Sequence, residues 1–283
     1  MNWFEKFIYS LSGKMPRPTN YGWFHLLFIG IFVSLCVLSV FLAKKRHTEK
    51  SFKIVVWVSW AIMFLFELYK QLVYSFKLVD GVPTWRYQWY AFPFQLCSTP
   101  LYVLPIIGCL KDGKVRDALM SYISTFAFFG GFVVFAYPND VFISLIGVNI
   151  QTMVHHGLQL VTGIYFVAYN KDKINFKYYL KAVYVFLITL AVAMILNFIV
   201  PSFTTETFNM FYISPKFPCT LALLNMIYPK VPYIVFLLIY VLGFCLAAFI
   251  IHLIYMLCTG KFKKAKIDNN GEQNENTNAK VAN

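Results

Sequence analysis

Seven long runs of apolar residues, separated by short polar segments, follow one another along this chain. They cover residues 23–43, 54–75, 90–110, 118–136, 148–169, 178–200 and 232–258. A helix rises about 1.5 Å per residue and a bilayer core is about 30 Å thick, so each run is long enough to cross a membrane. Helices satisfy their own backbone hydrogen bonds in lipid. The pattern therefore predicts an all-α, polytopic membrane protein, a seven-transmembrane-helix bundle.

The basic residues between these runs are unevenly distributed, which predicts an orientation. Of the 25 Lys and Arg residues, 17 lie in the C-terminal tail and around the loops after the first, third and fifth runs. Seven lie near the N-terminus and in the other loops, and Lys70 lies within the second run. Loops rich in Lys and Arg stay in the cytoplasm. We therefore expect the N-terminus outside the cell and the C-terminus in the cytoplasm.

The two ends of the chain differ from the membrane domain predicted at 23–260. In residues 1–22, charges and prolines argue against a cleavable secretory signal. The apolar spacing in this extracytoplasmic segment favours a short interfacial helix, although chance clustering of aromatic residues in a frayed end explains it as well. Residues 261–283 begin with the basic stretch KFKKAK and continue as an Asn-rich polar run. We expect this cytoplasmic tail to contact lipid first and then to be disordered.

Composition excludes several other classes of protein. The 283 residues are 59% hydrophobic, with a mean hydropathy of +0.61, which leaves no room for a soluble domain. The net charge of +13 is spread over loops, where it fits anionic lipid headgroups better than nucleic acid. The six cysteines lack CxxC spacing, so we expect no disulfide framework, metal site or cofactor. The abundance of Phe, Tyr, Ile, Lys and Asn is typical of an AT-rich genome and favours a bacterial plasma membrane.

Four chemically capable residues within the runs map to a single depth. Glu67, Cys97, His155 and His156 each lie about seven or eight residues from the predicted outer face, roughly 10–12 Å below it. Asn197 lies near the outer end of the sixth run. Ionisable residues are costly within a membrane and usually face the interior of the bundle. The sequence therefore predicts a polar site in the outer half of the membrane.

The surroundings of Cys97 predict a broken helix. Pro93, Pro100 and Pro105 flank it, and Pro100 removes the helical donor of the Leu96 carbonyl. Irregular backbone at this depth is tolerated where it is buried in protein or lines a cavity. This context favours a pocket, whereas the plainer alternative is that Cys97 is a small apolar filler.

The adjacent histidines cannot both face one partner, because neighbouring helical residues point about 100° apart. His156 precedes Gly157, which would let another helix approach closely, and we favour His156 as a base. His155 is then a neighbour that makes structural bonds. The alternative is that both histidines are structural and bond to a facing helix.

A cysteine and a histidine are the minimal groups for acyl transfer, because the imidazole takes the thiol proton and the thiolate attacks an ester. Glu67 or Asn197 would orient the imidazole. Gln95 or Ser98 would donate to the developing oxyanion. Lys70 lies three residues after Glu67 on one helix face, so a simple ion pair is an equally good explanation of Glu67.

Several short motifs resemble those of the YwaF-type integral membrane proteins of bacteria. They are Phe94-Gln95-Leu96-Cys97-Ser98, Val154-His155-His156-Gly157, Gly163-Ile164-Tyr165, Asn197, Asn209-Met210-Phe211, Pro215 and Pro232-Tyr233. That family is similar to transmembrane protein 164, regarded as a cysteine-dependent phospholipid acyltransferase, and more distantly to the androgen-induced-protein lipid hydrolases. The resemblance implies that Cys97 is the nucleophile and His156 its partner. Many family members carry a histidine where this chain has Gln95.

The residues and the resemblance together favour an outer-leaflet lipid acyltransferase with membrane lipids as partners. A lipid hydrolase would use the same residues, with water resolving the intermediate. A small-solute transporter would also suit an interrupted helix, but the chain shows no repeated halves of the kind that transporters often contain. A membrane scaffold without chemistry is the remaining alternative.

Overall fold

A computed structural model describes residues 1–139 and 141–260, and the structure is 72% helical. The helices are α1 Trp3–Ser10, α2 Trp23–Lys45, α3 Glu49–Ser75, α4 Pro100–Cys109, α5 Lys114–Tyr122, α6 Phe128–Ala136, α7 Ile146–Tyr169, α8 Phe176–Ile199, α9 Leu224–Ile227 and α10 Tyr233–Cys258. A π-helical turn, Ile123–Ala127, joins α5 to α6. The strands are β1 Phe76–Val79 and β2 Val82–Trp85. The predicted tail at 261–283 lies outside the described residues.

Five helices of the described chain are long and apolar enough to cross a membrane. They are Trp23–Lys45, Glu49–Ser75, Lys114–Ala136, Phe176–Ser202 and Tyr233–Cys258. They correspond to the first, second, fourth, sixth and seventh predicted runs. A mainly helical, multi-pass membrane protein is thus confirmed, while the count of seven spans stays a prediction.

The third predicted run, 90–110, contains less helix than expected. It begins with two short 3₁₀ turns, Trp89–Ala91 and Leu96–Ser98, and only then continues as α4. The ten residues of α4 span about 15 Å, roughly half of a bilayer core. The irregular backbone that the prolines predict around Cys97 is confirmed.

The fifth predicted run forms α7, which lies at the centre of the molecule. Seventeen of its 24 residues are buried, and it packs against α2, α3 and α6. Its polar side chains are therefore enclosed by protein instead of facing lipid. This enclosure explains how one long helix carries two histidines and several amides through an otherwise apolar structure.

Glycine residues let the neighbouring helices approach α7 closely. The Phe32 ring of α2 lies directly against Gly157, so a side chain at this position would collide with the ring. The close helix approach that Gly157 predicts is therefore confirmed. On the opposite side, a Cβ at Gly131 of α6 would lie 2.8 Å from Gln159 Oε1 and 3.0 Å from the His156 carbonyl oxygen.

A two-stranded hairpin follows α3, which the all-α prediction did not include. Strands β1 and β2 are antiparallel, with Phe76 opposite Trp85. Their turn places Asp80 and Gly81 at φ values of 50° and 80°. An Asp-Gly pair is typical of this kind of hairpin turn, but the all-α prediction did not take it into account. The Phe4 ring of α1 stacks on Trp85 with a centroid distance of 5.9 Å.

Ion pairs join three loops on one face of the molecule. Arg116 lies 2.6 Å from Glu49 and 3.1 Å from Asp112, and Lys173 lies 2.9 Å from both Asp112 and Asp117. These residues come from the start of α3, the α4–α5 region and the α7–α8 loop. The loops after the first, third and fifth predicted runs thus share one face. The side of the membrane on which this face lies stays a prediction.

Candidate functional site

The turn that carries Cys97 compensates for the proline that follows it. Thr99 donates its hydroxyl to the Leu96 carbonyl at 2.7 Å, which replaces the bond that Pro100 cannot make. The same hydroxyl lies 2.7 Å from the hydroxyl of Tyr122. The turn is thus held to the α5 helix as well as to its own backbone.

The Cys97 carbonyl accepts two hydrogen bonds from α7. His155 donates from Nε2 at 2.8 Å, and Gln159 donates from its side-chain amide. In a 3₁₀ turn this carbonyl would bond to the N–H three residues later, but that residue is Pro100, which has none. Two side chains of α7 therefore supply the missing donor and fix the position of Cys97 relative to this helix.

His156 is oriented by its own helix. Its Nδ1 lies 2.7 Å from the carbonyl of Thr152 and must donate, because a carbonyl only accepts. In the neutral ring, Nε2 then carries a lone pair. This nitrogen is buried and has no hydrogen-bond partner among the described residues. His156 therefore presents the form of imidazole that can accept a proton.

A cavity of about 640 Å³ brings most of the predicted site residues together. Its walls include Glu67, Lys70, Cys97, Ser98, His155 and His156. Glu67, Ser98 and both histidines are buried, and Cys97 is partly buried. The single depth predicted from the sequence thus corresponds to one common cavity.

Glu67 is neutralised by its own helix. Lys70 lies 2.9 Å from one carboxylate oxygen, and Gln71 donates to the same oxygen at 2.6 Å. Gln151 of α7 lies 3.4 Å from the other oxygen. The ion pair considered as the alternative explanation of Glu67 is therefore present. An orienting bond from Glu67 to a histidine is not among the hydrogen bonds of the described residues, and that role stays a prediction.

Gln95 and Asn197 both hold the segment at 209–211. Gln95 donates to the Asn209 carbonyl at 2.9 Å and accepts from the Phe211 N–H at 2.7 Å. Asn197 makes the same pair of bonds with the backbone of Met210, at 2.9 and 2.7 Å. These amides fasten a loop beside the cavity, and their predicted roles toward the oxyanion and the imidazole remain untested.

The segment before α2 covers the cavity at the face opposite the ion pairs. Tyr69 donates its hydroxyl to the Leu11 carbonyl at 2.8 Å. Ile146 N–H bonds to the Gly13 carbonyl at 3.0 Å, and Ser12 between them lines the cavity. The cavity therefore lies between the long apolar helices and a short covering segment.

Within the described residues, no group of three or more His, Cys, Asp or Glu side chains is arranged to hold a metal ion. The charged groups of the cavity wall are the Glu67–Lys70 pair and Lys77, the second residue of strand β1. The same wall carries a thiol and two imidazoles, and each imidazole has one ring nitrogen without a hydrogen-bond partner among the described residues. Such a set can carry out nucleophilic chemistry on an ester.

Two residues of the site escaped the sequence analysis. Gln159 lies four residues after His155, so both project from one face of α7 and reach the same carbonyl. Gln151 lies four residues before His155 and reaches Glu67. The spacing of four residues between each glutamine and His155 was visible in the sequence. These two glutamines were not considered because an amide is not a nucleophile or a base.

Comparison with known proteins assigns the chain to a family. The TMEM164 family model matches residues 20–262, which is most of the chain. The chain therefore belongs to the TMEM164 family. No curated protein and no solved structure matches it.

Proposed function

We propose that this TMEM164-family membrane protein is a lipid acyltransferase, with Cys97 as nucleophile and His156 as general base. The observation that carries the proposal is a shared cavity in which a cysteine lies with a histidine whose Nε2 is buried and unpartnered. The resemblance of both motifs to those of a cysteine-dependent phospholipid acyltransferase supports the same reading. We also favour the narrower YwaF-type assignment on those motifs.

The first half-reaction uses groups on the cavity wall. His156 Nε2 takes the Cys97 thiol proton, and the sulfur attacks the ester carbonyl of a phospholipid. A carbon–sulfur bond forms and the ester carbon–oxygen bond breaks. His156 then gives its proton to the leaving oxygen, which releases a lysolipid. The acyl chain remains on Cys97 as a thioester.

The tetrahedral intermediate needs hydrogen-bond donors for its oxyanion. Ser98 is adjacent to the nucleophile, buried and part of the cavity wall, so we favour its hydroxyl for this role. Gln95 is occupied by the backbone of Asn209 and Phe211. Because the Gln95 side chain already makes these hydrogen bonds, Ser98 is the better candidate for the oxyanion donor.

The second half-reaction separates a transferase from a hydrolase. In a transferase the hydroxyl of a second lipid attacks the thioester, whereas in a hydrolase water does so. Both reactions begin with the same acyl-enzyme. The partly covered cavity at a membrane surface favours lipid as the acceptor, because both lipids can enter from the same leaflet.

The proposal is tested by trapping the acyl-enzyme. The protein is reconstituted in nanodiscs that contain phospholipid with a radiolabelled acyl chain, and protein-bound label is measured with and without hydroxylamine. We expect a hydroxylamine-sensitive label on the wild type, none on Cys97→Ser, and labelling about 100-fold slower in His156→Asn.

Cys36→Ser is the matched control, because Cys36 is a partly buried membrane cysteine away from the cavity. This variant should label like the wild type. Unchanged lipid products and unchanged turnover in Cys97→Ser would refute the mechanism.

We further propose seven membrane segments in a bacterial plasma membrane, with the N-terminus outside and the C-terminus in the cytoplasm. In this arrangement α4 with its preceding turns forms the third segment and α7 the fifth. The concentration of Lys and Arg near the face that carries the Arg116 ion pairs supports it. Fluorescent-protein and alkaline-phosphatase fusions to the C-terminus test it, and phosphatase activity there would contradict it.

A further inference from the structure

The two histidines of α7 are bonded in opposite senses. Their ring centroids are 5.6 Å apart, and both residues line the cavity. His155 donates from Nε2 to the Cys97 carbonyl, whereas His156 donates from Nδ1 to the Thr152 carbonyl. Each neutral ring therefore keeps one lone pair, on Nδ1 of His155 and on Nε2 of His156.

Both of these nitrogens are buried without a partner among the described residues. Their residues are only 2% and 8% exposed. Buried acceptors are normally hydrogen-bonded, so two lone pairs beside one cavity indicate that donors occupy these positions during function. In the proposed first half-reaction the Cys97 thiol donates its proton to Nε2 of His156. The second lone pair, on Nδ1 of His155, then needs a donor that the ligand or water supplies.

We infer that His155 Nδ1 is the binding subsite for the hydroxyl group that accepts the acyl chain, and that the two histidines serve different half-reactions. This inference rests on the proposed function. His156 activates Cys97, and His155 activates the acceptor. The ligand chemistry is an O–H group, which either a lysolipid or water can present.

In the second half-reaction, His155 transfers the proton from the acceptor hydroxyl to the departing sulfur. Nδ1 takes the proton of the hydroxyl, and its oxygen bonds to the thioester carbonyl carbon. The carbon–sulfur bond breaks, and the sulfur receives the proton from His155. The products are the new ester, or a fatty acid when water attacks, and the free Cys97 thiol.

His155 is suited to activating the acceptor hydroxyl because it is bonded to the Leu96–Ser98 turn that carries Cys97. Its Nε2 bond fixes the ring relative to the backbone of Cys97, so Nδ1 keeps a constant position with respect to any thioester formed there. Gln159 donates to the same carbonyl and supports the turn independently. A variant at His155 that keeps a donor therefore leaves the turn in place.

His155→Gln provides such a variant, because the glutamine amide replaces the Nε2 donor and carries no group at the position of Nδ1. The wild type and variant are loaded with radiolabelled acyl chain in nanodiscs, and decay of the thioester is followed with and without added lysolipid. We expect loading at the wild-type rate and decay about 100-fold slower in the variant. Thr162→Val, which removes only a hydroxyl bonded within α7, should decay like the wild type.

The products identify the source of the hydroxyl. Acylated lysolipid as the main product assigns the subsite to a lipid hydroxyl, and free fatty acid assigns it to water. Decay of the His155→Gln thioester at the wild-type rate would overturn the inference and leave the proposed function intact. Absence of any thioester in the wild type would overturn both.

A second variant keeps the inference testable if His155→Gln does not fold. His156→Asn keeps the donor to Thr152 and lacks Nε2, and an activated p-nitrophenyl ester can acylate its Cys97 without a strong base. The inference expects the resulting thioester to decay at the wild-type rate. Decay slowed about 100-fold would show that His156 serves both half-reactions and would refute the division of roles.

Discussion

The position of Cys97 is determined by its backbone and by the residues that bond to it. Pro100 leaves two carbonyls in need of donors, and each finds a different one. Thr99 serves the Leu96 carbonyl, while His155 and Gln159 serve that of Cys97. The turn is therefore held from both sides, and this prevents the backbone polar groups from remaining unpaired in the membrane.

Gly131 lets α6 lie close to Gln159 of α7, and the adjacent Gly130 provides a matched control for this close packing. In Gly131→Ala the new Cβ would lie 2.8 Å from Gln159 Oε1 and 2.9 Å from Gln159 Cβ. We expect destabilisation by about 1–3 kcal/mol, because α6 and α7 must separate or Gln159 must shift. Thermal unfolding in detergent measures the effect.

Gly130→Ala is the control, since its nearest neighbours would be 3.7 Å away, at Leu96. Alanine favours helix over glycine by about 1 kcal/mol, so this variant should be as stable as the wild type or slightly more stable. Equal losses in both variants would mean that the destabilisation in Gly131→Ala does not come from its contact with Gln159.

At the residue scale, the sequence predicted the candidate reactive groups of the cavity wall but not their bonding. His155, His156 and Glu67 stand out because imidazoles and carboxylates are rare within membranes, and Cys97 stands out because prolines flank it. Gln159 did not stand out, since a buried amide has many uses and its partner is a backbone carbonyl. Such partners depend on where a broken helix leaves its carbonyls, which local sequence does not specify.

At the scale of elements, the segment at 209–211 is fastened by two amides from different parts of the chain. Phe211 and Tyr212 have φ values of 56° and 57°, a conformation that favours glycine. Gln95 and Asn197 each make two bonds to this backbone and thereby hold it in place. Tyr212 forms part of the cavity wall, so these bonds connect loop conformation to the site.

Removing one of these amides should loosen the loop. In Asn197→Leu the Met210 N–H loses its partner, and the Met210 carbonyl keeps only the 3.3 Å bond from the Ile213 N–H. An unpaired buried group costs about 1–3 kcal/mol. We expect faster trypsin cleavage after the exposed Lys216 in this loop. Cleavage kinetics in detergent, followed by mass spectrometry, measure the change.

The control is Ser202→Ala, which removes only an exposed hydroxyl bonded to the preceding helix. Its cleavage rate at Lys216 should match that of the wild type. A similar rate in Asn197→Leu would mean that the loop is held by other contacts.

The elements were predictable to different degrees. Long uniform runs such as α2 and α10 were recognised because their apolar length matches a membrane. The hairpin was missed because β1 and β2 have four residues each, too few to stand out beside seven long runs. The prolines of the third run predicted a break, but the length of helix that remains in it was not predictable, because hydropathy does not record backbone geometry.

At the scale of the whole molecule, one face is joined by ion pairs. Arg116 is 2% exposed and contacts two carboxylates, while its guanidinium lies 4.6 Å from the centre of the Phe52 ring. These contacts connect the start of α3 with the loop after α4. Lys173 extends the connection to the loop after α7.

This face should make stability depend on pH. Lys173, which bonds to Asp112, lowers the pKa of that carboxyl below its usual value. A lowered pKa means that the charged form stabilises the fold above about pH 4 and that this contribution is lost as pH falls through the lowered pKa. Asp112→Asn should therefore reduce the melting temperature at pH 7, and this reduction should become smaller as the pH falls below about 4.

Asp80→Asn is a control on the opposite face, because asparagine also suits the hairpin turn. Its melting temperature should match that of the wild type throughout this pH range. A difference between Asp112→Asn and the wild type that is independent of pH would mean that the loss is steric and not ionic.

The central position of α7 has a consequence for how the protein is made. A helix with two histidines and several amides enters lipid poorly when it is alone. The helices that enclose it, α2, α3 and α6, all precede it in the chain and so leave the ribosome first. In the proposed seven-segment arrangement, the helices that enclose α7 are thus synthesised before α7 has to enter the membrane.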